Sequence, residues 1–158
     1  MSTKNVLKSA AILLAIFALG HTYGTFWFPS QGPAEDALFA SMRDFTFPVM
    51  GVERSHWLFY RGFALFLSWN LVVLVVFAWQ LANLSARRPV DARPLLVTLF
   101  LGTIGLAVLS WIYFFPAPGV MSTAAALVTG FGLVRHTTGH SSRSTNSGSS
   151  LAADRLGR

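Results

Sequence analysis

The sequence predicts an all-α protein, a polytopic transmembrane four-helix bundle with a short amphipathic helix in the outer loop between spans 1 and 2. Three observations carry this reading. Hydrophobic residues make up 53% of the 158 residues and charged ones only 11%. Soluble domains carry about 25% charged residues, so lipid is the solvent this composition suits. The apolar residues fall into four runs, over about 9–28, 57–79, 95–115 and 119–134, and a hydrocarbon core needs roughly 20 helical residues per crossing. Tryptophan and proline punctuate those runs where membrane interfaces and turns belong.

The first run, Ser9 to Phe28, follows Lys4 and Lys8. Its Ala18-Leu19-Gly20 stretch resembles a signal-peptide cleavage site, which would put His21 at a mature N-terminus. The apolar run continues through Thr25-Phe26-Trp27-Phe28, so the reading here is a retained span. The second run lies between Trp57 and Trp79, 22 residues apart, or about 33 Å along a helix, with an indole at each interface. Pro94 is expected to open the third span. Pro116 and Pro118 mark a tight turn into the fourth, so spans three and four should form an antiparallel hairpin. The fourth is short and rich in Ala and Gly and must lean on its neighbours.

Residues 30–55 form the one sizeable outer loop. Gly32-Pro33-Ala34-Glu35-Asp36 has the form of a helix start, with proline in the first turn and acids complementing the dipole. Leu38, Met42 and Phe45 share a helical face, which predicts an amphipathic helix on the interface ending at Pro48. The tail, 137–158, is rich in Ser, Thr and Gly and is expected to be a disordered cytoplasmic segment.

Orientation follows from the basic residues. Lys4, Lys8, Arg87, Arg88, Arg93, Arg135, Arg143, Arg155 and Arg158 fall on one side, and Arg43, Arg54 and Arg61 on the other. The positive-inside rule makes the first side cytoplasmic, with both termini in. The net charge of +6 therefore points to anionic lipid headgroups on the cytoplasmic side rather than to nucleic acid.

Polar groups near the membrane are the candidates for function. They gather toward the outer side: His21 and Tyr23 late in span one, His56, Tyr60 and Arg61 at the start of span two. Two readings compete. Tyr, Trp and a single snorkelling Arg are ordinary interface residues. Alternatively, His21, Tyr23, His56, Tyr60 and Arg61 line a ligand pocket in the outer half, with Arg61 drawing a phosphate or carboxylate. Two isolated histidines without a spacing motif make a poor metal or haem site, and no cofactor is assigned. Asn70, near mid-membrane, is expected to hydrogen-bond a neighbouring helix, and Gly20 with Gly24 and Ala126 with Gly130 to permit close helix approach, within the chain or between copies.

The spans read from sequence contain no Asp or Glu, and the chain has no H-E-x-x-H, no G-x-S-x-G and no cysteine. Ion-coupled carriers and membrane hydrolases usually display such groups. The motifs His21-Thr22-Tyr23-Gly24, Phe47-Pro48-Val49-Met50, Arg54-Ser55-His56-Trp57 and Tyr60-Arg61-Gly62-Phe63 resemble a family of small uncharacterised four-span bacterial inner-membrane proteins, over residues 8–135. The resemblance implies the architecture and a bacterial inner membrane; it carries no activity.

The function this predicts is an accessory or lipid-like-ligand-binding bundle, alone or with a protein partner or a second copy. A membrane enzyme acting on an amphipathic substrate, with His21 or His56 as acid/base beside Arg61, is the alternative. A small-solute transporter is the third reading.

Overall fold

The computed structural model describes the backbone of residues 2–156 and the side chains of residues 2–137. Its order is α1 (Thr3–Trp27), α2 (Pro33–Asp44), β1 (Thr46–Val49), β2 (Val52–Ser55), α3 (His56–Arg87), α4 (Pro89–Tyr113) and α5 (Pro116–Leu156). Four helices are long and apolar enough to cross a membrane: α1, α3, α4 and the Pro116–Thr137 part of α5. This is the expected all-α architecture, with one addition, the β1–β2 hairpin.

The helices begin earlier than hydropathy suggests because caps, and not apolar residues, set their ends. Ser2 caps α1 by accepting from the Asn5 N–H. Ser55 caps α3 by accepting from the Leu58 N–H at 3.3 Å. The third span opens at Pro89, and Pro94 lies inside α4. Proline at the first helical position costs no hydrogen bond, so Pro89 takes the role expected of Pro94. The α3 helix has 32 residues, about 48 Å, and extends well past Trp79 on the side read as cytoplasmic. The expectation of a disordered tail over 137–158 falls almost wholly on residues whose side chains lie outside the described ones, although the α5 backbone runs on as helix to Leu156.

Each span packs against its neighbours in sequence, and α5 closes the ring against α1. The core is concentrated in the half read as cytoplasmic. Leu7, Ala11 and Leu14 of α1 meet Ala78, Leu81 and Ala82 of α3, Ala92, Leu96 and Leu99 of α4 and Ala125 of α5. Phe17, Ala18 and Leu71 form a smaller cluster above it.

The buried face of α5 is built from small residues: Gly119, Ser122, Ala125, Ala126, Thr129 and Gly132. They let α4 and α1 approach closely. A Cβ on Gly130 would lie 2.7 Å from the Phe100 ring, and one on Gly132 would lie 3.2 Å from Leu7. Thr103 and Thr129, both fully buried, share a 2.9 Å hydrogen bond across α4–α5. Trp111 donates to Thr123 at 3.0 Å near the outer end of the same hairpin. Two residues, Phe114 and Phe115, join the helices.

The loop between spans 1 and 2 differs from its expected form. Helix α2 starts at Pro33 with Glu35 and Asp36 in its first turn, but it ends at Asp44. Leu38 is 57% exposed, and Phe39 is the residue that docks, its ring 5.1 Å from Trp57. Pro48 belongs to β1, opposite Glu53. Met50 and Gly51, both at positive φ, make the two-residue turn that suits a hairpin twist. In such a hairpin the pair beside the turn, Val49 and Val52, exchanges the hydrogen bonds. The next pair does not, so the missing N–H of Pro48 is harmless.

The glycines divide by face. Gly24 and Gly20 have no atom within 4 Å of an added Cβ, so within the chain their motif makes no helix contact. Gly132→Leu should therefore cost about 1–3 kcal/mol through overpacking and lower the melting temperature in mild detergent. Gly24→Leu should leave the melting curve of the monomer unchanged. Equal destabilisation by the two would contradict this packing.

Candidate functional site at the outer end of the bundle

The C-terminal end of α1 and the N-terminal end of α3, on the side read as outer, meet along a seam that is polar on one side and aromatic around it. Three bonds stitch it. The Thr22 hydroxyl donates to its own helix at Ala18 O (2.7 Å) and lies 3.1 Å from the Ser68 hydroxyl. His21 Nε2 lies 3.2 Å from Ala64 O. Arg61 Nη1 donates to Thr25 O at 3.1 Å. His21, Thr22 and Thr25 fall on one face of α1, and Arg61, Ala64 and Ser68 on one face of α3, so the helical repeat itself brings them together.

Arg61 is held by rings. Its guanidinium carbon is 4.2 Å from the Phe26 ring centre and 5.7 Å from that of Trp57. Arg43, reaching over from α2, lies 4.3 Å from the same Trp57 ring. Among the described residues the one salt bridge is Arg88–Asp91, at the start of α4. Neither Arg43 nor Arg61 is paired with a carboxylate there, and Glu53 stands in the hairpin opposite Pro48.

The five expected pocket residues do not converge. His21 and Arg61 share the α1–α3 seam. Tyr23 is 60% exposed and stacks on Trp27. His56 sits against Phe45, parallel at 5.6 Å, and Phe47 at 4.9 Å. Tyr60 contacts Phe39 and Trp57. His21 reaches α3 at Ala64, eight residues beyond His56, or about 12 Å along the helix. The histidines therefore lie at different depths: His21 shares the seam with Arg61, and His56 sits instead against Phe45 and Phe47. Among the described residues no three His, Cys, Asp or Glu gather as a metal site.

Asn70 also departs from expectation. It does not bridge to another helix: its Nδ2 donates to Phe66 O of its own turn at 2.8 Å, and the side chain is exposed. Ser68 faces α1 and Asn70 faces outward, so the two do not line one path. Ala126 is buried as expected, and Gly130 receives Phe100.

One open concavity lies on α3 outside the residues expected to form a pocket. Arg54, Leu58, Phe59, Gly62, Phe63 and Phe66 line an open trough of about 660 Å³ along the outer half of α3. Gly62 is its floor, with nothing within 4 Å of an added Cβ. The signal in the sequence is a glycine among phenylalanines at helical spacing, with an arginine two residues ahead of the helix.

Comparison with known proteins gives no match: no family model fits the sequence, and no curated protein or solved structure is significantly similar to it. The expected resemblance to four-span membrane proteins is thus supported by the four apolar helices alone.

Proposed function

We propose that this small membrane protein is a non-enzymatic, accessory bundle that binds a lipid-like amphiphile along the outer half of α3. The trough is the observation that carries it. It has a cationic rim at Arg54 and an apolar bed of phenyl rings around Gly62, the order in which a headgroup and an acyl chain are met on entering a leaflet. The bed runs from Leu58 to Phe66, about 12 Å along the helix, which matches a good part of one leaflet's hydrocarbon depth. The separation of His56 from His21 and Arg61, and the tie of both seam side chains to backbone carbonyls, favour binding over the enzyme alternative.

The same reading puts both termini in the cytoplasm, on the strength of the nine basic residues on that side; the bacterial inner membrane is what the resemblance of the sequence motifs implies. Since the chain lacks cysteine, single-cysteine reporters are clean. Gln31→Cys in the outer loop should react with an impermeant thiol reagent in intact cells. Ala86→Cys, at an exposed site near the end of α3, should react only after permeabilisation. The opposite labelling would reverse the topology.

Gly62→Leu tests the trough itself. A leucine side chain fills the floor without meeting an existing atom, so the melting temperature should hold. The lipid that copurifies in mild detergent, counted by native mass spectrometry, should fall by half or more, roughly. Unchanged lipid retention in a folded Gly62→Leu variant would refute binding there.

A further inference from the structure

We propose that Arg43, Trp57 and Arg61 form a second site, one that binds the phosphate of an anionic phospholipid in the outer leaflet. It is separate from the trough. Gly62 follows Arg61 by one residue, so it points about 100° away around the helix, and Arg61 is turned toward α1, where it donates to Thr25 O.

The two guanidinium groups share one indole, at 4.3 and 5.7 Å from its centre. Their carbons therefore lie at most about 10 Å apart, within reach of a single headgroup. Both cations are positioned by ring faces and a backbone carbonyl, and among the described residues no carboxylate neutralises either. Each keeps its charge and most of its five N–H donors. Near the low-dielectric interface such donors need an acceptor, and the acceptor present at this depth is a lipid phosphate, which matches the guanidinium fork.

The arrangement also selects the headgroup. The two rings that hold the arginines are already occupied by a cation, Trp57 by both arginines and Phe26 by Arg61. A zwitterionic lipid would bring its own cation up against two more, whereas an anionic lipid would not.

The test is a titration of delipidated protein in mild detergent. The probes are phosphatidylglycerol, phosphatidylcholine of the same chains, and inorganic phosphate. Wild type should bind phosphatidylglycerol about tenfold more tightly than phosphatidylcholine. Arg43→Gln, at an exposed position, and Arg61→Lys, which keeps the charge but not the fork, should each remove most of that preference and leave phosphatidylcholine binding unchanged. Gly62→Leu fills only the trough, so it should leave the preference for phosphatidylglycerol in place, and failure of this site and failure of the trough are told apart. A preference that survives in both arginine variants, or none in wild type, would overturn the proposal. Displacement of phosphatidylglycerol by millimolar inorganic phosphate would assign the site to a free anion and overturn the lipid assignment.

Discussion

Helices in hydrocarbon gain little from hiding apolar side chains from one another, because lipid tails are as apolar as leucine. They associate where backbones come close enough for dense dispersion contacts and where hydroxyls bond across the gap. In this protein that condition is met by the small-residue face of α5, from Gly119 to Gly132. It receives Trp111 and Phe100 from α4 and Leu7 from α1, and Thr129 holds Thr103. With α4 and α1 fixed on one helix, the core of Leu7, Leu14, Leu81, Leu96 and Leu99 can close on the side read as cytoplasmic.

The outer half follows another rule. There α3 meets α1 through Thr22–Ser68, His21–Ala64 O and Arg61–Thr25 O, bonds that hold two helices without a thick apolar core. The large rings are left over for the periphery: Phe59, Phe63, Phe66 and Trp69 are all exposed. A surface of that kind is costly in water and comfortable in lipid. Gly62 opens a recess there with Arg54 at its margin, while Arg43 and Arg61 gather on Trp57, around another side of α3. The inner half thus serves as an anchor for an outer half that offers contacts.

Much of this architecture was legible in the sequence because hydropathy, Trp57, Trp79 and Pro116 report directly on the membrane. The positions of caps were less so. Ser2, Ser55 and Pro89 set helix ends through single hydrogen bonds or their absence, which an average over twenty residues blurs. The hairpin at Thr46–Ser55 was missed because Pro48 looked like a helix terminator. Its true signal was Met50-Gly51 between two short β-prone runs. At the site, Arg61 and His21 lie on one seam, while Tyr23 and His56 meet other neighbours. Depth along a helix says nothing about rotation around its axis, and rotation decides whether a side chain meets α1, α2 or lipid. The bridge expected from Asn70 failed for the same reason: its face of α3 has no helix opposite it.

On the proposed function, lipid is held at a defined place on α3 rather than bathing it uniformly. A photoactivatable phospholipid with its reactive group on the acyl chain, crosslinked in native membranes and mapped by peptide, tests this directly. If the outer half of α3 is a binding surface, adducts will concentrate on residues 58–66 and saturate at low probe fraction. Adducts spread evenly over all lipid-exposed residues, including Val72, Val76 and Leu101, and rising linearly with probe, would contradict it.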